Sequence, residues 1–378
     1  MIKMSKLRFS KNNYLIVTEE PLAGSSFVNW IKVLVENRLA VDWQFIPRAV
    51  YVTALSLIMS PLKISEKLKF DKILQDVKIA SPIFIIGHWR SGTTFLHYLM
   101  GQDKNLAYVS TLQTMAPGLF LGYEKFVRGI LEKDLPDKRP MDDLELNPDL
   151  PYEEEYAVAN LCPYSFYHGW YFPRKIDDYF TKYVLFDGVK KDIIDEWKKT
   201  YEYLLKKITY KYKKKRVMLK SLINTARIKL LLELFPDAKF IHIYRNPYSV
   251  YLSTWKLYKQ ILPIFSFQHI DRDQLDKSII EIYKILYKKF FEEINLIPKG
   301  NFVEIRYEDF VETPVHILAI IYKKLGLEGF KESKPAFEKY VEKHKNYKQD
   351  VYELTEKIKE NIYREWEFAF KKFGYKKY

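Results

Sequence analysis

Apolar residues in this chain form short continuous runs that alternate with longer stretches of helical spacing. A strand buried on both faces carries apolar residues at every position, whereas a helix carries them every three or four. The runs predicted to be strands are Ile83–Ile86, Val217–Leu219, Phe240–Tyr244 and Phe302–Ile305. The stretches predicted to be helices are Thr93–Met100, Lys190–Lys207, Thr225–Phe235, Leu275–Ile294 and the Lys- and Glu-rich tail Val351–Phe373. This alternation predicts an α/β fold, in which helices flank a central parallel sheet.

Residues 1–80 are predicted to be a helical N-terminal extension, followed by one α/β domain over residues 81–378. The extension ends at Ser81, because a residue before proline disfavours the helical conformation. Its longest apolar stretch, Ala49–Met59, has about half the length of a membrane-spanning helix. Aromatic residues such as Trp43 lie before it and lysines such as Lys63 follow, as in helices at a membrane interface. Both a core helix and a peripheral membrane contact therefore stay open.

The composition is globular, basic and rich in aromatic residues. Of 378 residues, 48% are hydrophobic and 29% are charged, which excludes a disordered chain. The net charge of +14 favours an anionic partner: nucleic acid, an acidic membrane or a phosphorylated small molecule. The single cysteine, Cys162, cannot form an intrachain disulfide, and no Cys/His cluster has zinc-site spacing. With no secretory signal evident in Met1–Val17, we expect a cytoplasmic protein.

One loop has the features of an anion site. Gly87-His88-Trp89-Arg90-Ser91-Gly92-Thr93-Thr94 follows a predicted strand and opens a helix, whose first N–H groups lack partners and attract phosphate. Its glycines permit a tight turn, and its arginine and threonines can bind anion oxygens. The spacing matches the P-loop G-x-x-x-x-G-K-[ST], except that Thr93 replaces the lysine. That lysine reaches the β- and γ-phosphates, so its absence favours a nucleotide with a single 5′-phosphate group.

A second candidate anion site follows the strand Phe240–Tyr244. Arg245 lies at the carboxyl end of this strand, on the sheet edge where open α/β proteins bind ligands. Ser253 lies two turns into the next predicted helix, so the two side chains together could hold a second phosphate. An exposed arginine and serine without function is the alternative.

These two segments, together with Arg306–Phe310 (RYEDF), resemble the sulfotransferases that use PAPS (3′-phosphoadenosine-5′-phosphosulfate), and in particular their broad bacterial branch. The resemblance extends from about Ser81 to the C-terminus. It implies a P-loop-like three-layer fold, transfer of a sulfuryl group from PAPS to an acceptor hydroxyl, and no metal. The residues it implies for PAPS binding are Gly87, His88, Trp89, Arg90, Ser91, Gly92, Thr93, Thr94, Arg245, Ser253 and Tyr307. Tyr307 is alternatively a packed aromatic residue.

The resemblance also implies catalytic residues that supply positive charge to the sulfuryl oxygens, namely Arg90 and Lys220. Lys220 ends a predicted strand, as a lysine does in relatives, but Leu222 replaces the proline that usually follows. A surface lysine at a strand end is the alternative. Further along, His344, Lys345 and Tyr347 resemble a late basic motif that closes over the cofactor in relatives.

The base that accepts the acceptor's proton is the least determined residue. The candidates are His88, His97, His168 and the run Glu153–Glu155. Relatives often carry an acidic cluster after a proline, which ranks Glu153 and Glu155 above Glu154, and burial would raise a carboxyl pKa. Alternatively, acidic residues after Pro151 simply favour the first turn of a helix.

The predicted acceptor is a small molecule, and a hydrophobic alcohol such as a sterol, lipid or phenol is favoured. The aromatic segment Tyr164–Phe172 and the apolar segment Ile261–Phe267 are candidates to line its pocket. A sugar acceptor and a purely structural role for these segments stay open.

Two other protein classes are compared with this prediction. A P-loop kinase would require a lysine in place of Thr93. A nucleic-acid-binding protein could use the basic run Lys211–Arg216, but the sequence carries no known recognition motif, so we expect no nucleic acid partner.

Overall fold

The computed structural model describes residues 14, 17, 20–139, 144–213, 215–345 and 354–377, and its centre is a five-stranded parallel sheet. Parts of three predicted segments lie outside these residues: most of residues 1–19, Lys214 in the basic run, and residues 351–353 of the tail. The strands are β1 (Ile83–Gly87), β2 (Leu106–Tyr108), β3 (Arg216–Lys220), β4 (Lys239–Tyr244) and β5 (Phe302–Arg306). They lie in the order β2-β3-β1-β4-β5, with all neighbours parallel. The predicted fold class is confirmed.

Helices surround the sheet. In the first half of the chain they are α1 (Phe27–Glu36), α2 (Ile46–Gln75), α3 (Thr93–Met100), α4 (Thr111–Met115), α5 (Glu124–Asp134), α6 (Glu154–Leu161), α7 (His168–Tyr171), α8 (Ile176–Tyr183) and α9 (Lys191–Lys211). In the second half they are α10 (Ile228–Leu234), α11 (Pro247–Phe265), α12 (Arg272–Glu293), α13 (Tyr307–Glu312), α14 (Pro314–Leu325), α15 (Phe330–Lys343) and α16 (Glu356–Phe373).

Two hydrophobic cores cover the two faces of the sheet. Phe84 and Ile86 of β1 belong to the larger core, whereas Ile83 and Ile85 belong to the smaller one, packed against helices such as α3 and α14. Successive side chains of a strand point to opposite faces, so both faces of β1 are buried. This explains why the strand appears in the sequence as an unbroken apolar run.

The main differences between the sequence prediction and the structure concern strand β2 and the start of one helix. Strand β2 was not predicted, because its three residues are too few to form a recognisable run. The prediction of one helix over Thr225–Phe235 is wrong at its start. Leu222–Ala226 forms a 3₁₀ turn instead, in which the Thr225 hydroxyl bonds both the N–H and the carbonyl of Gly87 at 2.7 Å.

Helix α2 is the main helix of the N-terminal region, and one of its faces packs on the rest of the chain. Arg48 is fully buried and donates hydrogen bonds to the carbonyls of Ser266 (2.6 Å) and Pro263 (2.9 Å). Glu66 forms a buried ion pair with Lys207 of α9 at 2.6 Å. The segment Trp43–Gln75 is long and apolar enough to cross a membrane, by length and composition only.

Candidate functional site

A cavity of about 630 Å³ opens at the carboxyl ends of β1, β3 and β4. Trp89, which follows β1, Leu222, which follows β3, and Arg245, which follows β4, all line it. Parallel sheets place ligands at this edge, because the loops after adjacent strands converge there. The cavity is therefore the candidate active site.

The loop from Gly87 to Thr94 has a backbone that only glycine tolerates at two positions. Gly92 has φ +91°, and a Cβ there would lie 2.4 Å from Cδ2 of Tyr307. Gly87 has φ +147°, and its Cβ would lie 2.3 Å from the carbonyl oxygen of Ile243. Arg90 also adopts a left-handed conformation, with φ +70°, which costs about 1–3 kcal/mol in a residue other than glycine. The surrounding structure thus holds this loop in one tight conformation.

The two predicted anion sites meet at this loop. Nε of Arg90 donates to Oγ of Ser253 at 2.7 Å, and Nη1 of Arg245 donates to the Arg90 carbonyl at 3.0 Å. The Arg245 guanidinium lies 4.3 Å from the centroid of the Tyr307 ring. All four side chains line the cavity, as do Thr93 and Thr94 at the N-terminus of α3. Two guanidinium groups and a helix N-terminus therefore give one wall a concentrated positive potential.

Lys220 and Glu153 form an ion pair beside this loop. Nζ of Lys220 contacts Oε1 of Glu153 and donates to Oγ1 of Thr94 at 3.3 Å, while the Tyr167 hydroxyl donates to Oε2 of Glu153. Glu153 lines the cavity, and its side chain is about 10% exposed. Burial raises the pKa of the Tyr167 phenol well above its ordinary value, so Tyr167 stays a hydrogen-bond donor to this carboxylate.

The next two glutamates face away from the cavity. Glu154 accepts hydrogen bonds from Tyr201 (2.8 Å) and Asn224 (2.7 Å), and burial raises its pKa to about 7. Glu155 is fully buried against Arg227 at 3.0 Å. Glu155 thus neutralises a buried arginine and does not belong to the described cavity lining, and its role as base stays a prediction.

Two predicted histidines also lie in the core rather than among the described residues that line the cavity. His168 is fully buried, with Nε2 3.2 Å from the Cys162 carbonyl, and burial lowers its pKa to about 4. His88 packs against the ring of Tyr283, with centroids 4.9 Å apart, and burial lowers its pKa to about 3. Neither imidazole therefore reaches the described cavity lining, and the roles predicted for His168 and His88 stay predictions. His97 is buried as well, and burial lowers its pKa well below the usual value.

Comparison with known proteins places this site in a family. Residues 82–332 match the family model described as Sulfotransferase family. The chain is a sulfotransferase. Omega-hydroxy-beta-dihydromenaquinone-9 sulfotransferase Stf3 of Mycobacterium bovis and of Mycobacterium tuberculosis is 34% identical to it over 356 residues, which cover 93% of this chain and 90% of the relative. It is thus an enzyme of the transferase class, and its family implies a sulfate donor and a small-molecule acceptor.

Solved bacterial sulfotransferases share its fold. Sulfotransferase STF9 from Mycobacterium avium superposes with a TM-score of 0.70 at 17% identity, covering 92% of each chain. STF1 from Mycobacterium tuberculosis H37Rv gives 0.67 at 16% identity, covering 90% of this chain and 91% of its own. The predicted P-loop-like architecture and sulfotransferase activity are confirmed.

The sulfotransferase cavity also has an apolar and aromatic wall, and sequence reasoning found only part of it. Of the predicted segment Tyr164–Phe172, Trp170 lines the cavity, while Phe166 and its neighbours pack in the core. The other apolar and aromatic residues of this wall are Tyr152, Tyr156, Leu222, Leu252 and Leu257. A sequence signal exists for Leu252 and Leu257, which lie next to Ser253 on α11, and for Tyr156, which lies one turn after Glu153.

Three further basic residues line the cavity. His344 and Lys345 from the predicted late motif line the cavity; Tyr347 lies outside the described residues. Arg139 also lines it, and its guanidinium lies 5.5 Å from the Tyr152 ring centroid. Sequence reasoning missed Arg139, because it stands in a proline- and aspartate-rich loop with no motif around it.

Proposed function

We propose that this enzyme transfers a sulfuryl group from PAPS to the hydroxyl of a hydrophobic, lipid-like alcohol. The observation that carries the proposal is that Glu153, paired with Lys220, lines the same cavity as the basic loop and the aromatic side chains. A donor anion on the basic side and an apolar acceptor on the aromatic side would meet at this pair. The name of the Stf3 relatives, which describes a hydroxylated menaquinone as acceptor, supports a lipid.

The basic wall fits a nucleotide with two anionic groups. Arg245, Ser253 and Arg90 would hold the 3′-phosphate, and the amides and hydroxyls of Thr93 and Thr94 would hold the 5′-phosphosulfate. Gly87 and Gly92 let the loop pack directly against the Ile243 carbonyl and the Tyr307 ring, and this close packing supports a loop backbone held in place for such a ligand. When bound, PAPS supplies the electrophilic sulfuryl group.

Glu153 is the proposed proton acceptor and Lys220 the proposed source of positive charge. Glu153 is the glutamate of its run that lines the cavity, so it can reach the hydroxyl of a bound acceptor. Lys220 contacts both this carboxylate and Thr94 of the loop, and a cation there would stabilise charge that develops on the sulfuryl oxygens. Tyr167 holds the Glu153 carboxylate in place through its hydroxyl.

Two measurements test this function. Adenosine 3′,5′-bisphosphate is titrated calorimetrically into the wild type and into Arg245→Ala, with affinity expected to fall at least about tenfold in the variant, since charged hydrogen bonds contribute about 1.5–3 kcal/mol. Sulfation from PAPS is then compared over long-chain alcohols, phenols and glycans. No binding of the bisphosphate to wild type would refute the donor assignment, and activity on glycans alone would refute the lipid acceptor.

We further propose that the enzyme works in the cytoplasm at a membrane surface. Exposed apolar side chains, most of them three or four positions apart, lie along the outer face of α2: Ile46, Val50, Ala54, Leu57, Ile58, Ile64 and Leu68. This set is called the α2 stripe below. Exposed Lys67, Lys69 and Lys72 follow it at the C-terminal end of the helix. An apolar stripe with adjacent lysines is complementary to a bilayer that contains anionic lipids.

A further inference from the structure

A second cavity, of about 170 Å³, lies between α2 and α5. Its walls are mostly apolar and come from the turn Pro21–Gly24, from α2, from α4 and the segment after it, and from α5. Leu119, Val127 and Leu146 are among its buried lining residues. No donor or base assigned above belongs to this cavity, so the proposed chemistry leaves it unexplained.

The second cavity adjoins the active site. Tyr152 lines both cavities, and it directly precedes Glu153. A second segment also contributes to both cavities: Leu144 lines the active-site cavity and Leu146 lines the second cavity. A molecule that extends past Tyr152 from the active site would therefore enter an apolar space.

The outer end of the second cavity lies beside the α2 stripe. Tyr51, Leu55 and Met59, spaced by four residues, line it from the flank of α2 adjoining that stripe. On the facing helix α5, Phe126 and Ile130 also line it and are 48% and 37% exposed. Apolar side chains thus form both sides of an opening next to the proposed membrane-facing surface.

We propose that the second cavity binds the hydrocarbon tail of the acceptor, a lipid alcohol that enters between α2 and α5 and places its hydroxyl beside Glu153. The inference rests on the proposed function and adds to it a site and a route. An apolar tail gains free energy when it leaves water for such a space, at about 0.8 kcal/mol per methylene. The cavity would thereby select long-chain acceptors over short ones that carry the same hydroxyl.

The first test measures how activity depends on chain length. For primary alcohols of increasing length, kcat/KM is expected to rise about fourfold for each methylene that enters the second cavity, which is the ratio equivalent to 0.8 kcal/mol. Leu55→Trp, which adds bulk at the cavity wall, should abolish this rise for long alcohols and leave short ones unchanged. Leu57→Trp is the matched control, because Leu57 is exposed on the same helix and belongs to the α2 stripe. Equal chain-length dependence in wild type and Leu55→Trp would overturn the proposal.

A second test does not depend on turnover. A long-chain alcohol with a photoreactive diazirine at its tail end is irradiated with the full-length protein, and the labelled peptides are identified by mass spectrometry. Label on α2 around Leu55 and on α5 around Ile130 is expected, and it should decrease in Leu55→Trp. Label elsewhere would overturn the tail site. Failure of adenosine 3′,5′-bisphosphate to bind would instead refute the donor assignment and leave the labelling result intact.

Discussion

Glu153 and Glu155 lie two positions apart, yet their carboxylates have different surroundings. Glu153 borders the cavity beside Lys220, whereas Glu155 is enclosed against Arg227. Glu153→Gln keeps the shape of the side chain and removes the proposed proton acceptor. We expect kcat to fall about 10²–10⁴-fold, while the affinity for adenosine 3′,5′-bisphosphate stays unchanged. Steady-state sulfation assays and calorimetry measure the two quantities.

Glu155→Gln is the matched comparison. It leaves the buried Arg227 without its counter-charge, which costs about 3–5 kcal/mol of the free energy of unfolding. Thermal and urea denaturation should therefore show a large loss of stability for Glu155→Gln. Glu153→Gln also leaves a buried cation, Lys220, without its counter-charge and should lose stability too, so activities are compared at a temperature where both variants are folded. If Glu155→Gln were stable and inactive, the roles assigned to the two glutamates would have to be exchanged.

His168 should make the protein sensitive to acid. Its pKa is about 4 in the folded state against an ordinary value of 6.5, so the folded protein binds fewer protons than the unfolded chain between these values. Stability from this group is complete above pH 6.5 and is lost as the pH falls towards 4, by up to about 1.4 kcal/mol per pH unit. Glu154 acts in the opposite sense. Its pKa is raised from 4.5 to about 7, so its contribution to stability decreases as the pH rises from 4.5 towards 7.

The effect of His168 is isolated by comparing the free energy of unfolding of wild type and His168→Gln between pH 4 and 6.5. Wild type should lose stability relative to the variant as the pH falls. His316→Gln, at an exposed position, serves as the control for a histidine substitution. Parallel pH curves for wild type and His168→Gln would contradict the prediction.

At the scale of elements, the loop between β1 and α3 depends on Gly92 and Tyr307. In Gly92→Ala the new Cβ would lie 2.4 Å from the Tyr307 ring, so either the loop or the ring must move. We expect the affinity for adenosine 3′,5′-bisphosphate to fall at least about tenfold, because phosphate binding by a loop requires its backbone to stay in place.

Gly300→Ala is the control for this loop substitution. Gly300 has nearly the same φ, +88°, but a Cβ added there would have no atom within 4 Å, so the substitution introduces the backbone strain without the clash. Both variants should lose a similar amount of stability from the left-handed conformation, and only Gly92→Ala should lose ligand affinity. Equal affinities in the two variants would show that the Gly92–Tyr307 contact does not matter for binding.

Elements buried on both faces could be predicted from the sequence, whereas contacts between elements could not. The strands β1, β3 and β4 are predictable because nearly all of their residues are buried, and the Gly87–Thr94 loop because its spacing is a local property. The burial of His168 and Glu155 depends on residues such as Arg227, distant in the sequence. No local pattern reveals such a partner, so the sequence alone does not show that these side chains are buried.

At the scale of the whole molecule, α2 has one face that packs on the protein and one face that is exposed. Its inner face is fixed by charged groups inside the protein, namely Arg48 against the end of α11 and Glu66 against Lys207 of α9. Moving these groups into lipid would leave buried charges without partners, at a cost of several kcal/mol each. The helix is therefore expected to lie along a bilayer with only the α2 stripe in contact, although its length alone would allow it to span one.

This orientation predicts how the protein binds vesicles. Wild type should sediment with vesicles that contain anionic lipid and bind less tightly as salt rises, because each lysine near the surface contributes about 1 kcal/mol of screened attraction. The double substitution Ile58→Glu/Leu68→Glu places two carboxylates in the α2 stripe and should lower the partition coefficient at least about tenfold, with adenosine 3′,5′-bisphosphate binding unchanged. Leu296→Glu, at a position that is also exposed and apolar but lies outside the stripe, should bind vesicles like wild type. Equal sedimentation of all three proteins would mean that another surface, or none, meets the membrane.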